Sequence, residues 1–134
     1  MERARFATAV NCIDGRVQTP VTDWMKANLD VDYVDMVTQP GPDKALTQQA
    51  FEGLQALSRL ESIKERVMVS VRAHNSRTVA IVGHHDCAGD PVSKDQHLKQ
   101  IARSCQVVAS WGLPVRVLGL WVNEARQVEV VYGA

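Results

Sequence analysis

Val79-Ala80-Ile81-Val82-Gly83-His84-His85-Asp86-Cys87 decides how this chain folds. Its first four residues are apolar without alternation, as in a strand buried on both faces of a parallel sheet. Polar and metal-ligating side chains follow at once. The same arrangement occurs near the start, where Phe6 to Val10 leads into Asn11-Cys12-Ile13-Asp14-Gly15-Arg16. Each segment puts thiol, imidazole or carboxylate groups just past the end of a buried strand. In open α/β sheets, ligands sit beyond the carboxyl ends of the strands, at the point where strand order reverses. With strands one and three adjacent at that point, Cys12 meets His84 and Cys87.

The rest of the chain alternates strands and helices. Thr19-Pro20 reads as an N-cap followed by proline at the first helical position, with Val21, Trp24, Met25 and Leu29 on one face. Val31 to Val37 is strand two, and Asp32 and Asp35 suit an edge. Gln39-Pro40-Gly41-Pro42 is a loop. A helix is expected from Asp43 to Leu57, with Leu46, Ala50, Leu54 and Leu57 facing the core. Ser62 and Glu65 form a capping-box pattern opening another helix that buries Ile63, Val67 and Val71. Thr78 to Val82 is strand three. Ser93 and Gln96 repeat the capping pattern before Leu98, Ile101, Cys105 and Val108, and Gly112 and Pro114 end that helix. Val115 to Val122 and Val128 to Tyr132 are strands joined by a short hairpin, so the last is antiparallel. The expected fold is a single α/β domain over residues 1–134. Its mostly parallel sheet has order 2-1-3-4-5, with helices on both faces.

Bulk properties narrow the function. A chain of 134 residues suits one core. Fifteen basic and fifteen acidic residues cancel, so neither nucleic acid nor an anionic membrane is expected as partner. No apolar stretch is long enough to span a bilayer. The cysteines are Cys12, Cys87 and Cys105. An odd count without a signal-type apolar start points to the cytoplasm and to metal binding rather than disulfides.

Cys12, His84 and Cys87 make a three-ligand set for one Zn²⁺ per chain. Two thiolates cancel the ion's charge, and a neutral imidazole completes the set. Three protein ligands with one exchangeable position is the catalytic pattern, which points to metal-activated water. Asp14 or a water can fill the fourth position, and Arg16 can hold Asp14 through a bidentate contact. Asp86 either receives the second hydrogen bond of His84 or caps a turn. His85 is read as a solvated loop residue with a proton shuttle as the alternative, His97 as an exposed helical residue, His74 as a complement to a helix C-terminus, and Cys105 as core.

On these motifs the sequence resembles the β-class carbonic anhydrases. Their signature is Cys-x-Asp-x-Arg after the first strand and His-x-x-Cys after the third, here Cys12-Ile13-Asp14-Gly15-Arg16 and His84-His85-Asp86-Cys87. The resemblance implies zinc on Cys12, His84 and Cys87, an Asp14–Arg16 catalytic dyad and a homodimer or higher homo-oligomer. The implied activity is reversible hydration of carbon dioxide to bicarbonate. The chain departs from the family after strand two, where Thr38-Gln39-Pro40-Gly41 replaces Arg-Asn-Ala-Gly, and at Ala88, which replaces a glycine. Gln39 is a candidate for the glutamine that many members use as a substrate donor. Two other functions fit the same residues: hydrolysis of carbonyl sulfide or carbon disulfide, and a non-catalytic zinc domain closed by Asp14. The intact Asp14–Arg16 pair favours an enzyme.

Overall fold

Thr8, Ala9 and Val10 of the first strand lie in register with Val79, Ala80 and Ile81 of the third, and this pairing organises the molecule. The computed structural model describes residues 3–48 and 53–133. Its strands are β1 (Phe6–Asn11), β2 (Tyr33–Thr38), β3 (Thr78–His84), β4 (Arg116–Val122) and β5 (Val128–Tyr132). They form one sheet in the order β2-β1-β3-β4-β5. All neighbours are parallel except β4 and β5. The expected order, the antiparallel last strand and the edge position of β2 are all present.

Side chains alternate across this sheet with a period of two. Ala7, Ala9, Ala80, Val82, Leu118 and Leu120 pack on one face with Val21 and Met25 of α1 (Gln18–Leu29). Val10, Val79 and Ile81 face the other way. There they meet Leu46 of α2 (Pro42–Thr47), Ile63 and Val67 of α3 (Leu54–Ala73), and Ile101, Cys105 and Val108 of α4 (Lys94–Ala109). β1 and β3 are covered on both sides, which is why their sequences carry no polar alternation.

Three expectations need correction. The helix expected from Asp43 to Leu57 is not continuous: α2 stops at Thr47, Gln48 is extended, and α3 starts at Leu54 after Gly53. Leu54 is exposed in that first turn, and Ala50 lies outside the described residues. Ser62 and Glu65 open nothing, because they lie inside α3. The buried stripe Ala56, Ile63, Val67, Val71 runs through them without a break, so packing holds this stretch helical and leaves no free amides to cap. Finally, α1 begins at Gln18, directly after a 3-10 turn at Gly15–Val17. Pro20 therefore sits in the first turn, where its missing N–H has no helical partner to lose.

At the amino ends of the strands, a hydroxyl network ties β1 and β2 to α3. Thr8 Oγ1 lies 2.6 Å from Ser70 Oγ and donates to Ser76 Oγ. Ser70 Oγ donates to Asp35 Oδ2 at 2.7 Å, and His74 Nδ1 meets the same oxygen at 2.7 Å. His74, at the end of α3, thus binds a specific carboxylate besides facing the helix terminus. Among the described residues, no helix is long and apolar enough to cross a membrane.

Candidate metal centre

Both signature loops leave the sheet at its carboxyl end. β1 ends at Asn11, whose buried side chain shapes the turn after it. Its Oδ1 accepts from the Cys12 N–H at 2.9 Å, and its Nδ2 donates to the Val17 carbonyl at 3.3 Å. Gln18 Nε2 donates to the Cys12 carbonyl. Neither Asn11 nor Gln18 stands out in the sequence as a functional residue. A fully buried asparagine at the end of an apolar strand must find partners, and the turn of Cys12–Val17 supplies them.

His84 is the last residue of β3. The next amide, His85 N–H, donates to the Val122 carbonyl at 2.9 Å and extends the pairing with β4. Asp86 then takes a left-handed conformation, φ 59°, which aspartate tolerates better than most residues. That turn brings Cys87 back beside His84. Cys12, Cys87 and His84 are all buried, and their ligand atoms lie within 4.8 Å of one another. The two sulfurs are 4.0 Å apart.

The electrostatics are those of a site built for a cation. The contact with Cys87 is the main cause holding the Cys12 thiol well below its ordinary pKa, and burial opposes it. Cys87 is pushed up by the same contact. Two thiols that close share one proton, and a cation can take its place. Burial pulls the His84 pKa down, but contact with Cys12 and the His85 carbonyl outweighs it and the net shift is upward. His84 Nδ1 lies 2.8 Å from the His85 carbonyl oxygen, which fixes the ring. Its Nε2 is buried with no hydrogen-bond partner. Buried nitrogens are rarely left unpaired. An orphaned imidazole nitrogen beside two thiols matches the donor set of zinc.

Asp14 stands outside this ligand cluster. Arg16 holds it: Nε lies 3.0 Å from Oδ1, and the NH2 nitrogen 2.6 Å from Oδ2. The Arg16 amide also donates to Asp14 Oδ1 at 2.9 Å. Hydrogen bonds from Arg16 depress the carboxyl far below the usual carboxylate range. The same guanidinium reaches the second loop, donating to Asp86 Oδ2 at 3.2 Å and to the Asp86 carbonyl at 3.1 Å. Of the two roles open to Asp86, the hydrogen bond to His84 is therefore not made; a backbone carbonyl takes that place.

His85 is half-exposed and 3.8 Å from Glu124. Gln39 lies with Lys44, Gln48 and Arg59 in a small polar depression beside Gly41 and Gly89. Cys105 is in the core, its thiol pushed up to about 12 by burial. His97 is not exposed: it is buried, with Nδ1 2.7 Å from Asp43 Oδ2.

The sequence model of the family described as "Putative carbonic anhydrase" matches residues 2–132. The chain belongs to this family. Solved carbonic anhydrases share its fold. One from Glaciozyma antarctica is 13% identical, with a TM-score of 0.56, and the match covers 93% of this chain and 80% of that one. A tetrameric β-carbonic anhydrase from the filamentous ascomycete Sordaria macrospora is 10% identical, with a TM-score of 0.53, covering 98% and 82%. Comparison with curated proteins found no match.

Proposed function

We propose that the chain is a zinc enzyme that hydrates carbon dioxide reversibly to bicarbonate. The observation that carries this reading is the buried Cys12–His84–Cys87 set with its orphaned Nε2, next to a carboxylate held outside the set by arginine. Zinc held there supplies the Lewis acid that makes water a nucleophile at neutral pH.

The chain's own residues do the rest. Cys12, His84 and Cys87 would hold the ion. Arg16 grips both oxygens of Asp14 and keeps the carboxylate outside that set. The bidentate contact with Arg16 favours the ionised form of Asp14, a hydrogen-bond acceptor that would orient the attacking water. Arg16 also clasps the Asp86 carbonyl, so the loops after β1 and β3 keep their spacing. The closed, non-catalytic alternative requires Asp14 among the ligands, and its bidentate engagement with Arg16 opposes that.

Stopped-flow hydration of carbon dioxide by protein loaded with one zinc per chain tests the proposal. Turnover above the buffer rate that disappears in Cys12→Ser and Cys87→Ser supports it. A fully zinc-loaded protein without turnover would overturn it. We also infer a homo-oligomer built from dimers, supported by the family and by the tetrameric assembly of the Sordaria macrospora relative.

A further inference from the structure

Behind the signature loops, on the α4 side of the sheet, three ionisable side chains are buried: Asp43, Asp90 and His97. They come from the first turn of α2, the loop after β3 and the first turn of α4. His97 Nδ1 lies 2.7 Å from Asp43 Oδ2 and 3.5 Å from Asp90 Oδ2. Gln100, three residues along α4, reaches both carboxylates when its amide nitrogen faces them. Ser104 Oγ donates to the Asp43 carbonyl at 2.8 Å. Taking two carboxylates out of water is costly, and apolar residues of the same size often serve stability as well. A buried network of this kind therefore calls for a purpose beyond stability.

Its anchors indicate one. Asp43 is two residues past Gly41, and Asp90 directly follows Gly89. The two glycine segments touch backbone to backbone. A Cβ on Gly89 would stand 2.7 Å from the Pro40 carbonyl carbon and 2.8 Å from Gly41 N. A Cβ on Gly41 would stand 2.9 Å from Asp90 Cβ. Backbone hydrogen bonds carry these segments to the ligand turns: Gln39 N–H donates to the Asn11 carbonyl at 2.9 Å, directly before Cys12, and Asp90 N–H donates to the Cys87 carbonyl at 3.3 Å. The network thus fastens the backbone that joins the two ligand turns.

We propose that Asp43, Asp90 and His97 are positioning residues of the metal centre: a buried carboxylate–imidazole–carboxylate clamp that locks the Pro40-Gly41 and Gly89-Asp90 backbones together and so holds the turns that carry Cys12 and Cys87. The proposal rests on the reading of Cys12, His84 and Cys87 as metal ligands. Neither carboxylate belongs to the Cys12–His84–Cys87 cluster. The clamp acts through the backbone, as outer partners of metal ligands commonly do.

The test is cobalt substitution of the full chain, wild type against His97→Gln, with zinc affinity measured by competition with a chromogenic chelator. The expected result is a folded variant that still binds one metal per chain, with affinity lower by about 10- to 100-fold. Its thiolate-to-cobalt charge-transfer band should be shifted in energy. Asp43→Asn keeps an acceptor for the imidazole, so it should fall between the two. It carries the comparison if His97→Gln does not fold. A folded variant with wild-type affinity and an unchanged band would overturn the clamp. So would a second metal equivalent in wild type that His97→Gln alone removes, since the cluster would then be a cation site. A wild-type protein without a thiolate–cobalt band would defeat the ligand assignment itself, and the clamp with it.

Discussion

The Arg16 guanidinium combines two contacts that a lysine could not. It grips Asp14 with two nitrogens and donates to the carbonyl and carboxylate of Asp86 with the same planar group. A lysine is a point charge without that fork. Arg16→Ala frees Asp14 to be drawn into the fourth coordination position. Hydration activity should fall on the order of 10²-fold or more, the scale of a misplaced proton-handling group. One zinc per chain should remain. Arg16→Lys should restore only part of the rate. A crystal structure of zinc-loaded Arg16→Ala should show the Asp14 carboxylate in the fourth position in place of water; unchanged activity with a water still there would reduce Arg16 to a surface residue. Glycines provide a contrast of their own. Gly89 has backbone atoms inside any Cβ's reach, whereas Gly15 has nothing within 4 Å. Gly89→Ala should cost about 1–3 kcal/mol through forced loop displacement, and Gly15→Ala should melt close to wild type. Equal melting temperatures would show that the Gly41–Gly89 contact yields easily.

Among the elements, α4 shows both what the sequence disclosed and what it hid. Its cap is real: Ser93 Oγ accepts from the Gln96 N–H at 3.1 Å. Ser93→Ala should destabilise the protein by about 1 kcal/mol, read as a lower denaturant midpoint with unchanged slope. The similar pattern at Ser62 and Glu65 caps nothing, because a cap is defined by where a helix ends, and tertiary packing sets that end. His97 was hidden for another reason. It stands four residues before Ile101 and eight before Cys105, on the buried stripe, but a histidine there reads as solvent-facing unless its partners are known. Those partners, Asp43 and Asp90, are 54 and seven positions away in the chain, and only the fold brings them together. The Cys12–His84–Cys87 cluster was legible because its chemistry is unusual and each signature follows an apolar strand directly.

His97 also gives this element a pH signature. Burial lowers its pKa, but the bond to Asp43 and the charges of Asp43 and Asp90 outweigh that, and the net shift is upward. The folded state therefore holds the proton more tightly than the unfolded one. The stabilisation is whole below the unfolded pKa of about 6.5 and is lost as pH rises through the raised folded value. Asp90 is raised by burial and by Asp43, so it works in the same direction. As pH rises above about 6.5, wild type should lose more melting temperature than His97→Gln. Parallel curves would mean that His97 carries no extra proton in the folded state.

For the whole molecule, the sheet ends in two edges, β2 and β5, while β1, β3 and β4 are enclosed. Tyr33 on β2 and Val130 on β5 are exposed apolar residues, as is Val69 on α3. Static light scattering at micromolar concentration should give an even multiple of the chain mass. A monomer at that concentration would count against the dimer-based assembly.

Cys12 and Cys87 meet at 4.0 Å although 75 positions separate them, more than half of the 134-residue chain. An ion bound to both closes a loop of that length, and the unfolded chain offers no comparable grip. Its binding energy is therefore also folding energy. Each tenfold rise in free zinc above the dissociation constant should add about 1.4 kcal/mol to stability. With zinc bound there as proposed, such a fold would be a gauge of its surroundings, holding together most firmly where the metal is plentiful.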